Sequence, residues 1–344
     1  MKRLRIFNII VLLILITSTN KIRAIELEKV PIKVGVLLYR EDDYYISSLK
    51  NDLLKIENEN KDKVDFIFFD GKGSQELQDN QIEELINSKV DLILLDLVDV
   101  KKSCFPINIS KENNIPIIFF HREPSSMDCI KSYGKSLYIG TEACDSGNIQ
   151  GQMIINEWKN KNIIDKNHDN IIDYVLLKGE KDNLDAQARS RCVIKTIKDN
   201  GIRTHEIASE YCNWEKECAR IKMEELISRH GDTIELIISN NDEMAIGAIM
   251  ALQEMGYNKG DSGKNISVVG IDGTEEAKKL IQNGPMTGTV IQDSEGMAKA
   301  LYTIGMNFVQ GKEPLKDTEY KFDGTGVRVI IPYGNYITRS SLKS

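Results

Sequence analysis

The chain has 344 residues, enough for one large or two ordinary domains. A formal net charge of −7 and a sequence pI near 5.4 argue against nucleic acid or an anionic membrane surface as partner. Aromatic residues make up only 7%, so individual exposed rings stand out as candidate ligand contacts.

The N-terminus reads as an export leader over 1–24. Lys2, Arg3 and Arg5 precede an apolar run from Ile6 to Ile16 that only Asn8 interrupts. That run is short for a membrane span. Ile22 and Arg23 make a poor cleavage context before Ala24, so a retained N-terminal anchor is the alternative to cleaved export. No cysteine follows the run, which gives no support to a lipid anchor. The body is expected to be soluble and outside the cytoplasm, at the periplasmic or extracellular face.

From Pro31 onward short apolar runs alternate with longer amphipathic segments. Strands are expected at 32–38, 65–69, 90–96, 115–120, 137–140, 173–178, 203–208, 234–239, 266–271 and 287–291. Helices are expected at 45–56, 75–88, 146–160, 185–199, 214–229, 242–256, 273–283 and 294–310. Near-continuous β-branched runs suit parallel strands covered on both faces. Strand–helix alternation implies doubly wound α/β sheets, and ten strands at this length imply two lobes.

Ligands of open α/β sheets bind beyond the carboxyl ends of the strands. Those ends carry Arg40-Glu41-Asp42-Asp43-Tyr44-Tyr45, then Asp96, then His121-Arg122-Glu123. Farther along come Asp182-Asn183-Leu184-Asp185 with Arg189, then Asn240-Asn241-Asp242, Asp272 and Gln292-Asp293. Acids, amides and an arginine are planar groups that pair with vicinal hydroxyls. Asp185 and Asp242 also suit helix N-caps. Tyr45 and Trp214 would supply aromatic plates for the C–H faces of a sugar ring.

Residues 165–173 place oxygen-bearing side chains at the first, third, fifth and ninth positions: Asp165, Asn167, Asp169 and Asp173. Ile171, at the seventh, offers its backbone carbonyl. This is the ligand order of an EF-hand-type calcium loop. Its twelfth position is Leu176, so the completing carboxylate must come from elsewhere and the loop leads into a strand. A solvated polar turn is the competing reading.

The six cysteines include no CxxC, and with four histidines they make no zinc-like cluster. Cys212 and Cys218 could close a short loop beside Trp214, and Cys104 and Cys129 flank one expected strand. Cys144 and Cys192 fall in helical patterns. Free thiols are the favoured reading.

The segments GVLLYREDDYY, ELQDNQIEELINSKVDLILLDLVD, IPIIFFHREPS, YIGTEACDSGNIQGQ, VLLKGEKDNLDAQAR, IISNNDEMAIGA, VVGIDGTEEA and GTVIQDSEGMAKA carry a resemblance. Together they make the chain similar, over 32–341, to the galactose/glucose-binding proteins of bacterial ABC importers, of the type I periplasmic binding protein class. The resemblance implies two lobes closing about three crossings near 140–142, 291–293 and 327–329. One lobe would comprise 31–140 with 293–328, the other 141–292 with 329–344. It further implies sugar contacts at Asp43, Tyr45, Asp185, Arg189, Trp214, Asn241 and Asp272. The calcium ligands it implies are Asp165, Asn167, Asp169, the Ile171 carbonyl, Asp173 and Glu235, the last supplying the missing carboxylate.

Three sugar positions depart: Asp96 and Gln292 stand where the family has Asn, and Asn183 where it has His. Tyr45 replaces a Phe and Asp173 a Gln. The function implied is capture of a hexose (galactose, glucose or a methyl galactoside) by a monomer for an ABC permease. A sugar sensor for a membrane kinase or chemoreceptor is the alternative. The scattered carboxylates make a poor glycosidase pair, and no enzyme is expected. A sugar-responsive repressor would need an N-terminal DNA-binding helix pair in place of the leader.

Overall fold

A computed structural model describes residues 30–161, 164–339 and 341, so the leader expected at 1–24 lies outside the described residues. The apolar runs form two six-stranded sheets. The first has Val64–Asp70 (β2), Ile32–Leu38 (β1), Leu92–Leu95 (β3), Ile117–Phe120 (β4), Ser136–Gly140 (β5) and Arg328–Ile330 (β11) side by side in that order, all parallel. The second runs Arg203–Tyr211 (β7), Ile171–Lys178 (β6), Leu236–Ser239 (β8), Ser267–Asp272 (β9), Gly288–Ile291 (β10) and Tyr336–Thr338 (β12), with only β12 antiparallel.

Both faces of each sheet are covered, as the unbroken apolar strands require. In the first lobe Val34, Val36 and Leu38 pack on one side with Leu49, Leu53 and Leu301, while Leu37 packs on the other with Ile82, Ile93 and Tyr138. The first lobe's helices are Tyr44–Glu59 (α1), Gln75–Asn87 (α2), Cys104–Glu112 (α3), Asp128–Lys131 (α4) and Ser294–Val309 (α10). Those of the second are Ala143–Lys161 (α5), Leu184–Asp199 (α6), Lys216–His230 (α7), Asp242–Glu254 (α8) and Glu275–Asn283 (α9).

The chain crosses between lobes after β5, after β10 and after β11. The resemblance placed the third crossing at 327–329, but Arg328–Ile330 pairs with β5 and Val329 is fully buried in the first lobe. The third crossing is therefore 332–335, and residues 329–331 belong to the first lobe, Ile331 N donating to the Gly140 carbonyl at 2.7 Å.

Two disulfides replace the free thiols favoured from sequence. Cys104–Cys129 ties α3 to α4, and Cys144–Cys192 ties α5 to α6. Cys212 and Cys218 are unbridged, with Cys212 buried. Disulfides persist in oxidising compartments, which fits an exported protein. No helix among the described residues is long and apolar enough to cross a membrane.

Candidate functional site

Both sheets reverse their winding direction between their first and third strands, β1/β3 in one lobe and β6/β8 in the other. The carboxyl ends at such a switch point leave a crevice. Here the two crevices face each other across one cleft, lined by residues that follow β1, β4, β6, β7, β8, β9 and β10. Arg122 Nη1 to Glu180 Oε2 at 2.9 Å and Arg40 Nη1 to Glu215 Oε1 at 3.6 Å join the lobes across it. The enclosed volume is about 30 Å³. A cavity that holds one aromatic ring measures about 150 Å³. Entry of a ring-sized solute therefore requires the lobes to part about the crossings.

Three cleft residues are also helix N-caps, which explains why their side chains point back toward the strand ends. Asp43 Oδ1 accepts from Ile46 N at 3.1 Å, Asn183 Oδ1 from Ala186 N at 3.0 Å and Asn241 Oδ1 from Met244 N at 3.0 Å. The caps thus fall on Asn183, two residues before Asp185, and Asn241, one before Asp242, rather than on the two acids that also suited the role in sequence. Asp185 is free to face the cleft. Asp242 is buried behind it, accepting from Thr289 Oγ1 at 2.6 Å and Thr274 N at 2.8 Å, and desolvation pushes its carboxyl up to about 7.

Arg189 enters from α6. Its Nη1 donates to the Asn240 carbonyl at 2.7 Å, and its Nη2 donates to Gln292 Oε1 at 2.8 Å and Tyr333 Oη at 3.0 Å. Its Nε, although buried, has no partner among the described residues. The Tyr45 hydroxyl and Arg122 Nε, also buried, are likewise unpaired among them. Buried polar groups are nearly always satisfied, so three orphans on residues lining one cleft mark where a polar ligand would bond. Asp272 and Gln292 complete the rim, with Gln292 N donating to the Asp272 carbonyl at 3.0 Å. Desolvation, reinforced by nearby Asp242, raises the Asp272 carboxyl well above the usual range.

Trp214 and Asn213 both adopt left-handed backbone angles, φ 69° and 51°, costly for a bulky residue. The Trp214 carbonyl is held by Asn241 Nδ2 at 3.2 Å, and its ring lies against the backbone of Gly179. A Cβ at Gly179 would sit 2.2 Å from Trp214 Cζ2, so the indole has its place only because that residue is glycine. Tyr45 lines the cleft from the first lobe and Trp214 from the second.

Asp96 is the expected sugar contact that the structure places elsewhere. It is fully buried and does not line the cleft. Its Oδ2 lies 3.1 Å from His121 Nδ1 and its Oδ1 accepts from Arg122 N at 3.2 Å. His121 occupies the position expected of Asp96. Its ring centroid is 5.3 Å from that of Tyr45 and 5.9 Å from that of Tyr39. Tyr39, His121 and Arg122 line the cleft and were absent from the expected contacts, although position after β1 and β4 could have nominated all three. Tyr39 donates to Asp43 Oδ2 at 2.6 Å, and the Arg122 guanidinium lies 4.6 Å from the Tyr39 ring centroid.

The loop 165–173 lies at the opposite edge of the second sheet, where β6 and β8 begin. His168 and Asn170, both at φ 62°, wind it tightly. Asp165 accepts from Asp169 N at 3.1 Å and Asn170 N at 3.2 Å, Asn167 Oδ1 from Asp169 N at 2.9 Å, and Asp169 Oδ1 from Ile171 N at 2.8 Å. Glu235 accepts from Lys166 N at 2.7 Å and Asp173 N at 3.1 Å. Asp165 and Glu235 are almost wholly buried, and neither forms a salt bridge among the described residues. Buried carboxylates are normally paired or bound to a cation, so this all-oxygen set fits a hard ion. Asp173 departs, its Oδ1 lying 2.6 Å from His205 Nδ1. No three acidic, histidine or cysteine side chains among the described residues converge tightly enough to hold a metal as they stand.

The model for the periplasmic binding protein domain matches residues 34–313. The D-galactose/methyl-galactoside binding periplasmic protein MglB of Haemophilus influenzae is 33% identical over 302 residues, 88% of each chain. A putative rhizopine-binding protein of Rhizobium meliloti is 26% identical, over 81% of this chain and 85% of its own length. Among solved structures, an ABC transporter solute binding protein from Bacillus halodurans with bound myo-inositol superposes with a TM-score of 0.73 at 21% identity, covering 92% of this chain and 97% of that one. One from Actinobacillus succinogenes with bound D-allose gives 0.75 at 19% identity, covering 91% and 99%. Two parallel-sheet lobes around a closing cleft, with a family match over most of the chain, make this a binding protein rather than an enzyme, and the chain belongs to the periplasmic binding protein family.

Proposed function

We propose that the cleft captures a hexose, of the galactose, glucose or methyl galactoside type, for delivery to an ABC permease. The observation that carries this reading is the cleft itself. Aromatic rings from opposite lobes, Tyr45 and Trp214, share it with carboxylates, amides and Arg189, and three buried polar atoms await partners. An aldose has apolar C–H faces for the rings and a rim of hydroxyls for the planar groups. The relative from Haemophilus influenzae, named for D-galactose and methyl galactoside, supports the same ligand class. In this reading Asp43, Asn183, Asp185, Asn241, Asp272 and Gln292 bond hydroxyls, and Arg189 Nε and the Tyr45 hydroxyl gain their missing partners.

A sugar that touches both lobes stabilises the closed arrangement, because it binds that state better than the open one. Calcium is part of the proposal, held by Asp165, Asn167, Asp169, the Ile171 carbonyl, Asp173 and Glu235. When bound it would neutralise the buried carboxylates and fix the start of β6 against that of β8, remote from the sugar. Isothermal titration of the leader-free protein with galactose, glucose, methyl galactoside, ribose and myo-inositol tests the reading. Saturable heat with the hexoses and little with ribose supports it, whereas preference for myo-inositol or no binding at all overturns it.

A further inference from the structure

At the ends of β3 and β4 the cleft is lined by His121, while Asp96, the contact expected there, lies buried behind it and bonds its ring. We propose that protonation of His121, which lines the cleft and is oriented by the buried Asp96 carboxylate, sets affinity for a neutral polyhydroxylated ring. The inference rests on the sugar reading of the cleft.

Geometry carries it. Asp96 is completely buried, and both its oxygens are engaged, one near His121 Nδ1 and the other with Arg122 N. A carboxylate offers only acceptors, so the proton on Nδ1 faces it and the far edge of the ring, with Nε2, is left for the cleft. His121 itself sits at φ 57°, in left-handed backbone, with its carbonyl held by the Tyr138 hydroxyl at 2.9 Å. Gly140 leaves room for that hydroxyl, since a Cβ there would lie 1.8 Å from it. The ring is thus fixed by a carboxylate, a strained backbone and two tyrosine rings, more support than a spacer residue needs.

Several charged groups surround it. Asp43 and Asp185 face it from the starts of α1 and α6, and Asp96 from the end of β3. Arg122 is next in the chain but is paired with Glu180, and Arg189, across the cleft, is engaged with Asn240, Gln292 and Tyr333. Tyr39 and Tyr45 add rings and no charge. Burial opposes the imidazolium, and the three carboxylates outweigh it, so protonation is favoured above the ordinary histidine range.

Protonated, His121 is a charge-assisted donor to a sugar oxygen; deprotonated with Nδ1–H on Asp96, its Nε2 can only accept. The hydroxyl that meets it must then reverse its bonding. The sign follows: the stronger contact is present at low pH and is lost as pH rises through the His121 midpoint. An anionic ligand is disfavoured, because Asp43, Asp185 and Asp272 also line the cleft.

The test has two arms. In sugar-free protein, imidazole resonances followed by NMR across pH 5–8, with His121→Gln to assign the signal, should give His121 a midpoint above the ordinary value of about 6.5, and Asp96→Asn should lower it. Calorimetric affinity for galactose and glucose should fall roughly tenfold in the parent as pH rises through that midpoint, the scale of one charge-assisted hydrogen bond. His121→Gln should stay at the weaker level throughout. A parent affinity that is flat with pH, or a His121→Gln profile that coincides with the parent's, overturns the role of His121 while leaving sugar binding intact. Absence of any aldose binding at every pH overturns both readings, and the NMR arm then still reports whether Asp96 tunes His121.

Discussion

Gly179→Ala should misplace the Trp214 plate. A Cβ there would lie 2.2, 2.3 and 2.4 Å from Trp214 Cζ2, Cε2 and Cη2. Carbon atoms settle at about 3.5–4.0 Å, so the indole must retreat by roughly 1 Å or the β6–α6 turn must move. Neither is easy. Three ring atoms are struck at once, so a rotamer adjustment that relieves one keeps another. The Trp214 backbone is already left-handed, and its carbonyl is tied to Asn241. Overpacking of this kind costs about 1–3 kcal/mol. Gly134→Ala is the control, because a Cβ there meets nothing within 4 Å. It should be neutral to about 0.5 kcal/mol. Urea unfolding measures the first quantity. Sugar titration followed by Trp214 emission, in a Trp158→Phe background, measures the second and should reveal weakened affinity as well. If Gly179→Ala is as stable as Gly134→Ala and binds galactose equally well, the backbone of residue 179 does not seat the indole.

Three other outcomes are expected. Calcium at a hundredfold excess over its Kd should add about 2.7 kcal/mol to unfolding free energy, chelation should remove it, and Glu235→Ala should erase the difference; identical melting curves with and without chelator would falsify the calcium reading. Replacing Cys144 and Cys192 by serine should cost about 2–5 kcal/mol in urea unfolding, since the bridge ties α5 to α6, the helix that carries Arg189. Asp242, whose folded value of about 7 lies above the ordinary carboxylate value of 3.8, takes up its proton more readily folded than unfolded. Stability should therefore fall as pH rises from about 4 to 7, and Asp242→Asn should flatten that part of the profile; an unchanged slope would mean other groups set it.

The strands were legible because burial on both faces leaves an uninterrupted apolar run, and each of the ten expected strands has a counterpart. Those missed, Arg328–Ile330 and Tyr336–Thr338, are three residues long, too short to show any period. Helix α3 escaped notice because Pro106 and three isoleucine and asparagine positions disguise it. The proline lies in the first turn, where its absent N–H is not needed. In the cleft, strand-end position located the right neighbourhoods but not which side chain reaches in. Asp96 and His121 end adjacent strands, and only three-dimensional packing decides that the shorter acid stays behind while the longer ring stands forward. Cysteine pairing was unreadable for the same reason, since Cys144 and Cys192 meet only when α5 lies against α6. The burial of Glu235, which lies outside the loop 165–173, is another property that no local spacing reveals.

Tyr333 belongs to the third crossing, yet its hydroxyl accepts from Thr141 Oγ1 in the first crossing at 3.0 Å and from Arg189 Nη2 in the cleft at 3.0 Å. One oxygen atom is therefore common to the pivot and to the ligand seat. If Arg189 grips the solute as proposed, any substitution that retunes that grip also changes how strongly two of the three connecting strands are pinned together. Under that proposal grip and rate of release are not separate traits in this chain. A lineage shifting from one solute to another through Arg189 or its neighbours would alter its opening kinetics in the same step, and a variant made for slower release would be expected to change its choice of solute.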